Sequence, residues 1–125
     1  MSNLFICYSR CSTCKRAKDW LDTNGIEYEM RDIKTQNPAE DELKTWIEKS
    51  GLPIRRFFNT SGKQYRTLSL ASRLDDMSDE EKIALLATDG MLVKRPVLVS
   101  GDKVLVGFKQ DEWAQAFGVY YCSVF

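Results

Sequence analysis

Apolar and polar positions along this chain follow two alternating periods, and the switches between them divide it into elements. Leu4-Phe5-Ile6-Cys7-Tyr8 is short and continuously apolar, the pattern of a buried strand. After Cys14, the residues Ala17, Trp20 and Leu21 recur at helical spacing, with Arg16, Lys18, Asp19 and Asp22 between them. That predicts an amphipathic helix, stopped by Asn24-Gly25. Ile26–Arg31 then alternates as a strand does. Strand, helix and strand in close succession form a βαβ unit with parallel pairing and a right-handed crossover.

The middle of the chain reads as helical. Asn37 is the predicted N-cap of a helix, with Pro38 at its first position and Glu40 placed to complete a capping box. Leu43, Trp46 and Ile47 form its apolar stripe, and Gly51 with Pro53 ends it. Ser78-Asp79-Glu80-Glu81 opens a second helix carrying Ile83, Leu85 and Leu86, closed by Gly90. Phe57-Phe58 and Leu68–Leu74 contribute shorter helical pieces between them. The last third returns to strands: Pro96–Val99 and Val104–Val106 flank the turn Ser100-Gly101-Asp102. A final helix starts at Asp111 and ends at Gly118, and the apolar tail Val119–Phe125 packs on the body or on a second copy. The order is βαβ, a helical insertion at about residues 37–90, a ββ hairpin and a helix, within one domain over 1–125. This is an α/β, thioredoxin-like fold with a small mixed sheet. Such folds set a cis-proline opposite a cysteine pair, so the Arg95–Pro96 bond is expected to be cis.

Composition narrows the function. The chain has 125 residues, 43% hydrophobic and 29% charged, the profile of one ordinary globular domain. Eighteen basic residues balance eighteen acidic ones, which points to neither nucleic acid nor membrane as a partner. No long apolar stretch opens the chain, so it is expected to be cytoplasmic. There, cysteines spaced as Cys11-Ser12-Thr13-Cys14 are catalytic, redox-sensing or metal-binding more often than structural. The absence of histidine excludes Cys–His nucleophile pairs and His-containing zinc sites. A zinc knuckle of all four cysteines is the plainer alternative, but Cys7 and Cys122 are spaced unlike known zinc modules. No metal is therefore expected.

Cys11 falls in the first turn of the helix that follows the first strand, where unpaired backbone N–H groups favour an anion. Thiols at such positions can drop from a pKa of about 8.5 to roughly 3.5–7.5. Cys11 is thus the candidate nucleophile, and Cys14, one turn on, can close a disulfide onto it. Arg10, Lys15, Arg16 and Lys18 surround the motif with no acid between positions 9 and 18, as a steering field or as a solvated helix face. Arg95 is expected to approach Cys11 across the sheet ends, unless it pairs with an acid and holds its loop. Cys7 reads as a small buried hydrophobe, and Cys122 as an incidental thiol or else a third redox position near a substrate edge. Trp20, Trp46 and Trp113 read as core.

Four segments together resemble the bacterial ArsC/Spx family. They are Tyr8–Ala17, the block Phe57-Phe58-Asn59-Thr60-Ser61-Gly62 leading to Tyr65 and Leu68, Asp89–Pro96, and Val106-Gly107-Phe108. The resemblance implies a thioredoxin-like fold with a helical insert, and either arsenate reduction or redox-controlled regulation of transcription. As a reductase, the Cys11 thiolate would attack arsenic(V) and Cys14 would resolve the adduct. Arg95 would hold the oxyanion with help from Ser12, Thr13, Lys15 and Pro96. No cofactor is implied; glutathione with glutaredoxin, or thioredoxin, would return the electrons. Reductases of this family use one cysteine and three arginines. Only Cys11 and Arg95 carry over, the other two arginine positions holding Asn59 and Phe108. Cys14 is shared instead with the Spx branch, which binds the C-terminal domain of the RNA polymerase α subunit. Gly51 aligns with a glycine at that interface, although a glycine there is equally an ordinary helix C-cap. The phosphatase-type arsenate reductase needs a cysteine followed by five residues and an arginine. No cysteine here has that spacing.

Overall fold

A computed structural model describes residues 3–60 and 62–119. The tail after Val119, with Cys122, lies outside the described residues. The chain forms β1 (Asn3–Cys7), α1 (Ser12–Thr23), β2 (Glu29–Asp32), α2 (Glu40–Ser50), α3 (Lys63–Thr67), α4 (Leu70–Arg73) and α5 (Asp79–Thr88). β3 (Val97–Ser100), β4 (Lys103–Val106) and α6 (Gln110–Phe117) follow. Short 3-10 turns at Ile54–Phe57, Leu74–Asp76 and Gly90–Leu92 link the helices of the middle segment.

The sheet order is β2-β1-β3-β4. β1 pairs parallel with β2 and antiparallel with β3, and β3–β4 is an antiparallel hairpin. Strand alternation then sorts the core into two layers. Phe5, Cys7 and Leu98 face α1 and α6, packing with Cys14, Ala17, Trp20, Leu21, Trp113 and Ala114. Ile6, Val97, Val104 and Val106 face the middle helices through Leu43, Trp46, Phe57, Phe58 and Leu86. The sheet thus lies between a helical pair that carries the cysteines and a helical layer made by the insertion. This is the α/β, thioredoxin-like architecture with a small mixed sheet. The Arg95–Pro96 bond is cis.

At three element ends a tertiary or capping contact sets the boundary away from the sequence expectation. β2 begins at Glu29 rather than Ile26. Ile26 instead completes the end of α1, its N–H donating to Leu21 O while Gly25 N–H donates to Asp22 O. The middle segment's first helix starts at Glu40 with Ala39 as its N-cap, not at Asn37. Asn37 is occupied elsewhere: its side-chain amide donates to Ala87 O at 2.6 Å, tying the segment to the end of α5. The box acid is Glu42 and not Glu40. It accepts from Ala39 N–H at 3.0 Å and pairs with Arg31 of β2 at 2.7 Å. Finally, α5 is capped by Asp89 in extended conformation. Gly90 serves a different need, because a Cβ there would collide with the Ile33 carbonyl oxygen. At Ser78–Glu81 the capping box forms in full, with both reciprocal bonds present.

Gly90→Ala must therefore push the α5–β3 connection away from the residue after β2. The expected cost is about 2 kcal/mol of unfolding free energy, the scale of an overpacked core position. Urea denaturation measures it, and an unchanged midpoint would contradict the close approach.

Candidate functional site at the start of the first helix

The site is built on the joint between β1 and α1. Cys11 is the N-cap of α1, with φ −97° and ψ 120°. Its N–H donates to Tyr8 O at 3.0 Å and its carbonyl accepts from Lys15 N–H at 3.1 Å. The Cys11 side chain makes no cap hydrogen bond and is half-buried, leaving the N–H groups of the first turn aimed past it. No acid occupies that turn.

Cys14 lies one turn on, with 3% of its surface exposed, on the inner face of the helix. Its Sγ accepts from Tyr8 N–H at 3.4 Å and hydrogen-bonds with the thiols of Cys7 and Cys11. The bond with Cys7, followed by burial, pushes the Cys14 thiol well up, so it is protonated at neutral pH. The same bond moves Cys7 down, against burial and the charge of Asp32. The protein thus holds three thiols together: one at the surface and two beneath it. Among the described residues no His, Cys, Asp or Glu cluster is arranged to hold a metal ion.

Cys11 borders a cleft of about 780 Å³. α1 contributes Thr13 and Arg16; the middle segment contributes Arg55, Arg56, Phe58, Asn59, Thr60 and Gly62. Lys94 and Arg95 line it from the approach to β3, and Val106, Gly107, Phe108 and Lys109 from the end of β4. Six of these residues are cationic and none of the described lining residues is acidic. Two are partly neutralised by loose pairs at the rim: Arg55–Asp75 and Lys109–Glu112, each at 3.8 Å between exposed side chains. Arg95 is different. No carboxylate pairs with it among the described residues. Its guanidinium lies 5.3 Å from the Tyr8 ring centre, its Nη1 donates to Met91 Sδ at 3.2 Å, and its buried Nε has no partner. A donor left in that state, beside a cleft and a thiol, is placed to bind an anion. A second cavity, of about 700 Å³ between α2 and α5, carries charges of both signs and no cysteine.

Of the residues singled out in the sequence, Cys11, Thr13 and Arg95 meet at this cleft, with Cys14 beneath Cys11. Pro96 is buried at the head of β3. Ser12 and Lys15 are exposed on α1 and do not line the cleft. Asn59 and Phe108 also line it. Sequence reasoning missed Arg55, Arg56, Lys94 and Lys109 as site residues. For all but Lys109 the signal is an adjacent cationic pair, Arg55-Arg56 or Lys94-Arg95, in segments that only the fold brings to Cys11.

The model of the ArsC family matches residues 7–116, nearly the whole chain. The chain belongs to the ArsC family. It is 49% identical over 115 residues to the protein YusI of Bacillus subtilis (strain 168), covering 92% of this chain and 98% of that one. At 28% identity over 108 residues it is similar to the regulatory protein MgsR of the same organism, covering 86% and 84% of the two chains. Among solved structures it resembles one described as a possible arsenate reductase from Streptococcus mutans UA159. That similarity is 43% identity with a TM-score of 0.82, over 89% of this chain and 96% of the other. No helix of the described residues is long and apolar enough to cross a membrane.

The placement of the two motif thiols has a direct chemical readout. Iodoacetamide at pH 8 should modify Cys11 at least about a hundredfold faster than the buried, protonated Cys14. Mass spectrometry of peptides from a timed quench measures both rates, and equal rates would contradict the arrangement.

Proposed function

We propose that this ArsC-family chain is a thiol-dependent oxidoreductase of the arsenate reductase type, with Cys11 as nucleophile and Cys14 as resolving thiol. The observation that carries the reading is the cleft beside Cys11, lined by six cations and no described acid. A negative nucleophile and a negative oxyanion repel each other. The first-turn N–H groups of α1 and the unpaired Arg95 Nε supply the positive potential that allows them to meet.

The Cys11 thiolate forms an S–As bond to arsenate as a hydroxyl leaves with a proton, giving a thiol–arsenic(V) adduct. Cys14, losing its proton, attacks the Cys11 sulfur. The S–S bond forms, the S–As bond breaks, and its electron pair stays on arsenic, which departs as arsenite. A dithiol donor (glutathione with glutaredoxin, or thioredoxin) then reduces the Cys11–Cys14 disulfide. Tyr8 N–H, donating to Cys14 Sγ, stabilises the charge that develops there as the proton leaves.

A second reading rests on the similarity to the regulator MgsR and on the retained Cys14. In it the same disulfide alters a surface for the RNA polymerase α subunit, without turnover. Gly51 adds little to it, because its φ of +69° at the end of α2 already requires glycine. The cation-lined cleft favours the enzyme.

Arsenate added to the protein with glutathione, glutaredoxin, glutathione reductase and NADPH should start NADPH oxidation. Cys11→Ser should abolish it, and Arg95→Met should lower kcat/KM by about a hundredfold, the loss of one oxyanion donor. No turnover with either the glutaredoxin or the thioredoxin donor would overturn the proposal. Capture of the polymerase α C-terminal domain in one redox state alone would then favour the second reading.

A further inference from the structure

Cys7 has no part in the two-thiol cycle just described, yet the fold places it against that cycle's resolving sulfur. It lies in β1, two residues from Phe5 on the same face of the sheet, under α1. Only 4% of its surface is exposed. Its thiol hydrogen-bonds with Cys14, whose own thiol also bonds with Cys11. Cys14 thus interacts with both other thiols, Cys11 at the cleft and Cys7 in the sheet, and all three belong to one apolar cluster.

We propose that Cys7 is a third redox-active thiol, attacking the Cys14 sulfur of the Cys11–Cys14 disulfide to form a buried Cys7–Cys14 disulfide and release Cys11. The proposal rests on the reading of Cys11 and Cys14 as a redox pair. The exchange is neutral in electrons. One S–S bond forms as another breaks, Cys7 gives up a proton, and Cys11 leaves as a thiolate that can take one up.

Geometry selects which sulfur is attacked. Cys14 is the sulfur in contact with Cys7, and Tyr8 N–H is already directed at it. The departing Cys11 sulfur leaves onto the start of α1, where unpaired N–H groups favour its negative charge. Attack at Cys11 would instead expel Cys14 as an anion into the core, with Tyr8 N–H in place of the open helix start. Once Cys14 is bridged to Cys11, moreover, Cys7 loses its hydrogen-bond partner and stands as an unpaired thiol beside a disulfide. The outcome is an oxidised chain that presents a free Cys11 to the cleft again.

Trypsin separates the two disulfides. Cleavage after Arg10 and Lys15 leaves Cys7 in peptide 1–10 and both motif cysteines in peptide 11–15. Full-length reduced protein would be treated with diamide, quenched in acid at intervals, alkylated and digested. The expected course is an early internal loop in peptide 11–15, replaced by a cross-link between the two peptides with Cys11 alkylated. Fragment spectra assign the link to Cys14. In Cys7→Ser the loop should persist, and Cys11 labelling after oxidation should fall at least about tenfold below that of the unaltered chain. Cys11→Ser supplies an independent measurement, since it should form the Cys7–Cys14 cross-link directly. A loop that forms and persists in the unaltered chain, with no cross-link in Cys11→Ser, overturns the relay and leaves the redox pair standing. No loop at any time removes the pair itself, and the relay with it.

Discussion

Both motif cysteines hang on the peptide groups of one residue. Tyr8 O accepts from Cys11 N–H, and Tyr8 N–H donates to Cys14 Sγ. Tyr8 directly follows β1, which is held on both sides, by β2 in parallel and by β3 in antiparallel pairing. The joint is therefore fixed by the centre of the sheet and not by loop side chains. It directs the start of α1 outward, where Cys11 is half-buried, and turns Cys14 inward onto Phe5, Cys7 and Trp20. The site's chemistry follows from that division between a sulfur at the helix start and a protonated one in the core.

Charge placement completes it. A net charge of zero hides a strong local field. Six acids of the middle segment stand at helix starts, Glu40–Glu42 on α2 and Asp79–Glu81 on α5, where they oppose unpaired N–H groups. The cations of the approach to β3, of the Ile54–Phe57 turn and of the end of β4 instead converge on Cys11. Arg95 is the extreme case. It rests on the Tyr8 ring and on Met91 Sδ, contacts that position a guanidinium without neutralising it. A cation-lined cleft results from segregation, with no excess of positive charge in the chain.

What could be read from the sequence divides along the same line between local and distant causes. The strand–helix junction at Cys11, the full capping box at Ser78 and the hairpin at Gly101 are set within a few residues, and they lie where the pattern puts them. Asn37 had the chemistry of an N-cap but lost that role to a contact with Ala87, which no local window includes. Gly90 looked like a helix stop because helix stops are what isolated glycines most often mark. Its reason is the backbone of Ile33, far away in sequence. Ser12 and Lys15 adjoin the cysteines in the sequence, and helical rotation turns them away from the cleft. Arg55, Arg56, Lys94 and Lys109 reach the cleft only through tertiary folding. Cys7 was read correctly as buried. Its meeting with Cys14 depends on which strand face α1 covers.

The central claim is that Cys11, and no other thiol, attacks an anionic partner held in the cation-lined cleft. Intact-mass measurement on Cys14→Ser incubated with oxidised glutathione tests it most directly, because the resolving thiol is gone and the first adduct accumulates. The account predicts one glutathione per chain, mapped to Cys11, formed at least about tenfold more slowly when Lys94 and Arg95 are both replaced by glutamate. No adduct, an adduct on Cys7, or a rate indifferent to those two charges would contradict it.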